Sequence, residues 1–154
     1  MHRGDPEAKQ LELQLKRHCL NNWEYQGKPF IDAPEEYQGF VYIIHDQINN
    51  MFYIGKKNFW TVKKLPPLKG KKNKRHSRIQ SDWQLYYGSS ERLSLMVKTL
   101  GEDNFTRTIL HLCSNKTMMS YWETKTQFQL NVLTDPSYYN EFISCRINAR
   151  GFKE

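Results

Sequence analysis

The stretch GFVYIIHDQINNMFYIGKK, residues 39 to 57, contains two short apolar runs joined by polar residues. Val, Ile, Tyr and Phe dominate both runs, and Gly39 and Gly55 bound them, so the pattern predicts a β-hairpin. The first run is apolar at odd and even positions alike, which is typical of a strand that is covered on both faces. We therefore expect it at the centre of a sheet.

Tyr42 and Tyr53 are predicted to lie on the same face of this hairpin. Side chains alternate along strands, so an even position on one strand shares a face with odd positions on the other when the loop is even. If Asn49 and Asn50 are the central turn residues, the two tyrosines are offset diagonally. A turn centred two residues earlier would place them opposite each other. Two phenols on one face form either a catalytic pair or part of the core.

The positive charge of the chain is concentrated immediately after the hairpin. Residues 56–78 hold ten of the 23 Lys and Arg, and no acidic residue lies between Asp46 and Asp82. Such a patch attracts a polyanion, and nucleic acid is the commonest one. The alternatives are a solvated loop and a membrane-surface patch. Four aromatic residues in or just after this segment either stack on bases or pack in the core: Trp60, Trp83, Tyr86 and Tyr87.

The composition favours a soluble protein of the cytoplasm with no membrane partner. No apolar run approaches the roughly 18 residues that a membrane span needs. The N-terminal residues lack the apolar centre of a secretory signal. The three cysteines, Cys19, Cys113 and Cys145, have no paired spacing of the kind found in zinc sites or disulfide frameworks, so we expect them to be reduced.

The remaining pattern predicts an α+β fold with a small three-stranded antiparallel sheet flanked by helices. Asp5 and Pro6 are predicted to begin an N-terminal helix whose apolar residues recur at Ala8, Leu11, Leu15 and Cys19. Residues 21–38, rich in Asn, Gly and Pro, are predicted to be an irregular connector. We therefore divide the chain into an N-terminal extension, residues 1–37, and a main domain, residues 38–154, with a basic insertion at 56–80.

The main domain is predicted to contain three further helices and one further strand. Within the insertion, Pro66, Pro67 and Gly70 break regular structure. Ser81 is a candidate cap for a short helix that ends near Gly88, and either Ser89 or Ser90 is a candidate cap for a helix through Leu100, with Gly101 as its stop. Residues 104–113 are predicted to be the third strand. Either Ser114 or Asn115 opens the last helix, which extends to about Val132.

The hairpin resembles the paired signature of the GIY-YIG nuclease superfamily. Val41-Tyr42 is similar to its first half, with Phe40 in place of the glycine, and Tyr53-Ile54-Gly55 matches its second half. The segments Gly88-Ser89-Ser90 and Gly101-Glu102-Asp103-Asn104-Phe105 are similar to the middle of phage-type members. The resemblance covers about residues 38–146.

The resemblance implies a set of catalytic residues. Two tyrosines, a glutamate that binds a divalent metal and an asparagine that supports the site are expected at Tyr42, Tyr53, Glu123 and Asn140. An arginine is also expected on the first helix after the second tyrosine. Here the basic insertion stands in its place, and the candidates are Arg75 and Arg78, with His76 between them as either a phosphate contact or a proton-transfer group.

The chemistry of phosphodiester hydrolysis suits these residue types. The reaction needs an activated water and stabilisation of charge on the phosphoryl oxygens. A phenol becomes a base only when nearby positive charge stabilises the phenolate. An arginine donates two parallel hydrogen bonds to the phosphoryl oxygens, and one glutamate suits a hydrated hard cation.

The resemblance thus implies a phage-type DNA endonuclease that uses Mg²⁺ or another divalent cation. Six lysines are predicted to bind the nucleic acid: Lys56, Lys57, Lys69, Lys71, Lys72 and Lys74. The alternatives are an inactive nucleic-acid-binding module of the same fold, and a basic protein that inhibits or recruits a host nucleic-acid enzyme.

Overall fold

The computed structural model describes residues 6–10 and 21–153. Residues 6–10 are helical, and the rest of the predicted N-terminal helix, including Asp5, Leu11, Leu15 and Cys19, lies outside the described residues. The strands are β1 (Trp23–Tyr25), β2 (Lys28–Phe30), β3 (Gly39–Asp46), β4 (Met51–Asn58), β5 (Trp60–Leu65), β6 (Arg75–Gln80) and β7 (Phe105–Cys113). Helix α1 (Glu91–Leu100) lies between β6 and β7, and helix α2 (Lys116–Gln129) follows β7. Single 3-10 turns occur at Trp83–Leu85, Glu102–Asn104 and Ala149–Phe152.

Five strands form a mixed sheet in the order β2-β1-β7-β3-β4. The predicted antiparallel core of three strands is present as β7-β3-β4, with β3 at its centre, but the sheet is larger than predicted. The error lies in residues 21–38, where Gln26 and Gly27 adopt positive φ and turn the chain between β1 and β2. This hairpin extends the sheet because β1 pairs with β7 in parallel. Pro29 is tolerated because β2 is an edge strand.

The hairpin of β3 and β4 has a four-residue loop, residues 47–50, which matches neither of the two predicted turns. Tyr42 lies opposite Gly55, and Tyr53 lies opposite Ile44. The even loop keeps the predicted parity, and the two tyrosine rings share a face with centroids 6.2 Å apart. Asp46 holds the loop by accepting hydrogen bonds from the backbone N–H groups of Ile48 and Asn49 at 3.0 and 3.1 Å.

Gly55 allows the two tyrosines to lie against β4. A Cβ atom at this position would be 2.4 Å from the hydroxyl oxygen of Tyr42 and 2.9 Å from a ring carbon of Tyr53. Any side chain at Gly55 would therefore displace both rings.

Aromatic side chains fill the core on the face of the sheet that carries Tyr42. Trp23, Phe40, Phe59 and Trp83 are all at most 1% exposed. Phe40 contacts Trp23 edge to face with a centroid distance of 4.9 Å. Phe40, which stands in place of the expected glycine, is therefore a core residue. Of the two alternatives for Trp83, base stacking and core packing, the structure shows core packing.

Helices α1 and α2 follow the predicted caps. Ser90 accepts a hydrogen bond from Leu93 N at 3.3 Å, and α1 ends at Gly101, whose φ is 92°. Asn115 accepts a hydrogen bond from Met118 N at 2.8 Å and begins α2. The predicted helix after Ser81 is only one 3-10 turn. Within the described ranges, no helix is long and apolar enough to cross a membrane.

Arg107 on β7 joins the sheet to the segment before α1. Its side chain is 4% exposed, and its guanidinium donates hydrogen bonds to Gln84 O at 2.9 Å, to Tyr86 O at 2.8 Å and to Asn21 O. It also lies 4.2 Å from the ring centroid of Tyr87. Since these acceptors come from two distant segments, Arg107 fixes both of them against β7.

The basic insertion folds as a separate two-stranded antiparallel sheet of β5 and β6. Pro66, Pro67 and Gly70 lie in the loop between these strands, so they break structure as predicted, but the flanking residues are regular. We call β5, β6 and their loop, residues 60–80, the basic ribbon.

The close approach at Gly55 predicts a specific loss of stability. Gly55→Ala should lower the free energy of unfolding by about 1 to 3 kcal/mol because the added methyl group overpacks the site. The same change should cost less in a Tyr42→Leu background, where the hydroxyl and outer ring atoms are gone. Denaturant unfolding of the four proteins measures this coupling. An equal cost in both backgrounds would show that Tyr42 is not what excludes a side chain at position 55.

Candidate active site

A cavity of about 390 Å³ lies beside the outer edge of β4. Its walls come from β4, from the N-terminal turn of α1 and from α2, and its floor includes the segment after residue 138. Polar and charged side chains dominate its lining, which includes Tyr53, Ser89, Glu91, Arg92, Glu123, Gln127, Asn140 and Glu141.

The C-terminal segment covers the outer edge of β4 and so forms part of the cavity. Phe52 exchanges backbone hydrogen bonds with this segment, donating to Ser137 O and accepting from Tyr139 N at 2.7 Å each. At the next outward-facing residue, Ile54, the partner is a side chain. Asn140 accepts from Ile54 N at 3.0 Å and donates to Ile54 O at 2.8 Å. Asn140 therefore supports the strand between Tyr53 and Gly55 without itself continuing the sheet.

Tyr53 presents its phenol to the cavity. The residue is 9% exposed, and its hydroxyl forms a hydrogen bond with Ser89 Oγ at 2.9 Å. Burial raises the pKa of Tyr53 above its usual value, and the hydrogen bond with Ser89 offsets only part of this rise. The phenol is therefore neutral near pH 7 in the protein alone.

Tyr42 lies deeper than Tyr53. It is 1% exposed, and it does not line the cavity. Burial raises its pKa well above the ordinary value, and the neighbouring phenols of Tyr86 and Tyr53 raise it further. The two tyrosines are thus neighbours, but only Tyr53 is open to a ligand in the cavity.

Glu123 brings a negative charge to the cavity wall and pairs with Lys56 on β4. The side chain of Glu123 on α2 is 13% exposed, and its Oε1 lies 3.8 Å from Lys56 Nζ. Lys56 also donates a hydrogen bond to Ser120 Oγ at 2.7 Å. Burial raises the pKa of Glu123, and the charge of Lys56 opposes that rise. Lys56, predicted as a contact to nucleic acid, therefore pairs with a residue of the cavity wall but does not itself line the cavity.

The comparison with known families agrees with this geometry. Residues 23–143 match a family model described as "Putative endonuclease segE, GIY-YIG domain". The chain belongs to the GIY-YIG superfamily. The matched region begins at β1, so it includes the β1-β2 hairpin, which lies in residues predicted to be an irregular connector. No curated protein and no solved structure matches the chain.

The two arginines predicted for the GIY-YIG site lie elsewhere, on β6. Arg75 Nε donates to Pro66 O at 3.2 Å. Arg78 donates to Glu35 O at 3.2 Å and stacks 4.3 Å from the ring centroid of Trp60. His76, between them, is exposed. None of the three lines the cavity, because the insertion forms strands and holds these side chains on the basic ribbon.

Arg92 is the arginine that the structure brings to the cavity. It occupies the second position of α1, which is the first α-helix after Tyr53, and its NH1 lies 3.8 Å from Glu141 Oε1. The sequence contained the signal, since the cap at Ser90 and the expected arginine on the first helix together indicate this residue. The basic insertion obscured this signal, because it placed Arg75 and Arg78 closer to Tyr53 in sequence.

The other lysines predicted to bind nucleic acid occupy two different settings. Lys57 donates a hydrogen bond to Asp82 Oδ1 at 2.6 Å, and its Nζ lies 4.0 Å from the ring centroid of Tyr86. The other four are exposed in the loop of the basic ribbon: Lys69, Lys71, Lys72 and Lys74.

The pairing of Asn140 with Ile54 predicts that this side chain stabilises the site. Asn140→Ala should lower the free energy of unfolding by about 1 to 3 kcal/mol, because Ile54 N loses its partner and Ile54 O loses one of its two donors and keeps Gln127 Nε2. Asn73→Ala, at an exposed position in the ribbon loop, is the matched control and should change it by less than about 0.5 kcal/mol. Urea unfolding measures both. Equal stability of the two variants would contradict the supporting role of Asn140.

Proposed function

We propose that this protein is an endonuclease that hydrolyses phosphodiester bonds of DNA with the help of a divalent cation. The observation that carries the proposal is the convergence of Tyr53, Arg92 and Glu123 on one cavity. Membership of an endonuclease family supports the reaction class.

Tyr53 is proposed to accept the proton of the attacking water. It is the motif tyrosine that lines the cavity, and Ser89 orients its hydroxyl at 2.9 Å. Its pKa is raised by burial, so the phenol needs added positive charge before it acts as a base. Arg92, which lines the same cavity, is proposed to provide part of that charge.

Arg92 is proposed to hold the phosphoryl oxygens. Its guanidinium remains charged and can donate two parallel hydrogen bonds to a phosphate. Its neighbour Glu141 is 62% exposed at a distance of 3.8 Å, which makes a weak surface ion pair. A phosphate can therefore displace Glu141 from Arg92 at little cost.

Glu123 is proposed to hold the cation. No group of three or more His, Cys, Asp and Glu able to bind a metal occurs among residues 6–10 and 21–153. A single carboxylate fits a hard ion such as Mg²⁺, which keeps several waters and takes further oxygens from the substrate. When bound, such an ion would stabilise negative charge on the phosphate and the leaving oxygen. The side chain of Glu123 is largely buried, and its carboxylate pairs with Lys56. These two features hold the carboxylate at the cavity wall.

Tyr42 is proposed to position Tyr53 and β4 instead of reacting. Its hydroxyl lies over Gly55, and its ring centroid lies 6.2 Å from that of Tyr53. Removing that hydroxyl leaves the proposed base in contact with the cavity, so the two motif tyrosines should differ in their effect on the rate.

The direct test incubates the purified protein with supercoiled plasmid DNA, with Mg²⁺ or with a chelator. Nicking that requires the added cation supports the proposal. Retardation of the plasmid without cleavage would contradict it and would indicate an inactive binding module.

Replacing Glu123 tests the cation site. Glu123→Gln keeps the shape of the side chain and should lower nicking by about 100-fold or more, since the carboxylate that holds the cation is lost. Binding to DNA without metal should be equal or modestly tighter, because a negative charge near phosphate is removed. Glu36→Gln, an exposed position, is the control and should cut at the wild-type rate. Wild-type nicking by Glu123→Gln would contradict this assignment.

Replacing the tyrosines tests the base. Tyr53→Phe should lose cleavage by about 100-fold or more, and Tyr42→Phe by clearly less, while both retain the ring and its packing. A base acts in its deprotonated form and the pKa of Tyr53 is raised, so the wild-type rate should increase with pH through the neutral range. Single-turnover rates from pH 6 to 9 measure this. A larger loss in Tyr42→Phe than in Tyr53→Phe would reverse the proposed roles.

A further inference from the structure

The basic ribbon is exposed on both of its faces. Nine of the twelve residues in β5 and β6 are exposed. Basic side chains occur on each face. Lys64, His76 and Arg78 lie on one face, and Lys63 and Arg75 lie on the other. A ribbon of this kind has little hydrophobic core to stabilise it, and its like charges repel one another.

The base of the basic ribbon is fixed to the rest of the protein. Phe59, just before β5, is fully buried, and its carbonyl accepts a hydrogen bond from Ser81 N at 2.8 Å. Trp60 Nε1 donates to Tyr37 O at 3.0 Å, and Arg78 packs on the Trp60 ring. The ribbon is therefore held at one end, and its lysine-rich loop is at the other.

Apolar side chains are also exposed between the charges. Val62 is 61% exposed and Ile79 is 40% exposed. They lie on opposite faces of the ribbon, as the register of β5 and β6 shows. Exposed apolar groups within a cationic element are typical of a surface that contacts both the phosphates and the base edges of nucleic acid, where apolar groups meet the thymine methyl.

We propose that the basic ribbon enters the major groove of duplex DNA and selects B-form duplex as the substrate. The inference rests on the proposed function in taking DNA as the substrate. The major groove of B-DNA is about 12 Å wide and admits a two-stranded β-ribbon. A ribbon in that groove has a phosphate backbone on each side, which accounts for cations on both faces.

The chain length between cavity and ribbon limits where the duplex is cut. Leu65, at the end of β5, follows Lys56 by nine residues, which span at most about 30 Å when extended. One turn of B-DNA is about 34 Å long. The bases beside β5 and β6 therefore lie within about one helical turn of the scissile phosphate.

Other nucleic acids fit this surface less well. The major groove of A-form RNA is deep and too narrow for side chains to read. A single strand offers one phosphate backbone and cannot cover both faces of the ribbon. Double-stranded DNA is therefore the one occupant that uses all the exposed charges.

The first experiment measures binding by fluorescence anisotropy in a chelator, so that cleavage does not interfere. The probes are a 24-base-pair DNA duplex, an RNA duplex of the same sequence and the single DNA strand. We expect the DNA duplex to bind at least about tenfold more tightly than either other probe. Methylation of guanine N7, in the major groove, should interfere with binding, and methylation of adenine N3, in the minor groove, should not.

The second experiment compares variants that lose the same charge. Lys63, Lys64 and Arg75 are changed together to Ser in the ribbon variant, and Lys28, Lys98 and Lys153 are changed together to Ser in the control. The slope of log K against log salt should flatten by up to about 0.9 for each lost phosphate contact in the ribbon variant and should stay unchanged in the control. Alanine at Lys69, Lys71, Lys72 and Lys74 provides a second variant outside the strands, and it should also flatten the slope. Circular dichroism verifies that each variant is folded.

The inference is overturned by equal binding of the DNA and RNA duplexes, by interference from adenine N3 alone, or by an unchanged salt slope in both ribbon variants. These results do not depend on cleavage. A protein that fails to nick plasmid but shows guanine N7 interference would lose the proposed enzymatic function and keep the ribbon as its duplex-binding element. A protein that nicks plasmid without N7 interference would keep the function and lose the inference.

Discussion

The outer edge of β4, where the five-stranded sheet ends, is the constraint on which the candidate site depends. Every second residue of an edge strand directs its backbone N–H and C=O away from the sheet, and those groups need partners when they are buried. Ser137 and Tyr139 pair with Phe52 as a strand would, but at Ile54 the amide of Asn140 takes over. The change from backbone to side chain lets the C-terminal segment leave the sheet, and the space that it leaves is the cavity.

The motif residues Tyr42, Tyr53 and Gly55 pack against one another, and this packing also keeps the two phenols protonated. Gly55 leaves room for the Tyr42 hydroxyl, and Tyr42 in turn packs beside Tyr53 at 6.2 Å. The same burial raises the pKa of both phenols, most strongly that of the deeper Tyr42. Position on one face of a sheet therefore does not make two phenols equivalent, because access to the cavity distinguishes them.

Local signals in the sequence predicted the parts of the fold that local interactions determine. The caps at Ser90 and Asn115, the stop at Gly101 and the parity of the β3-β4 hairpin all depend on residues close in sequence. The strands β1 and β2 were missed because Asn, Gly and Pro indicate turns, whereas β1 is stabilised by β7 more than 80 residues away. The position of Arg92 was missed for a related reason, since it depends on how a long insertion folds. Lys56 acquires its contact with Glu123 only through the packing of α2 on the sheet.

The position of β7 between β1 and β3 has a consequence for synthesis on the ribosome. The strand made last takes an interior place in the sheet, so the nascent chain holds two unpaired edges, on β1 and on β3, until residue 113 has emerged. Arg107 arrives with that strand and only then binds the carbonyls of Asn21 and Tyr86. Open, apolar strand edges are sites of aggregation. The interval between the emergence of β3 and of β7 is therefore when this chain most needs chaperone protection.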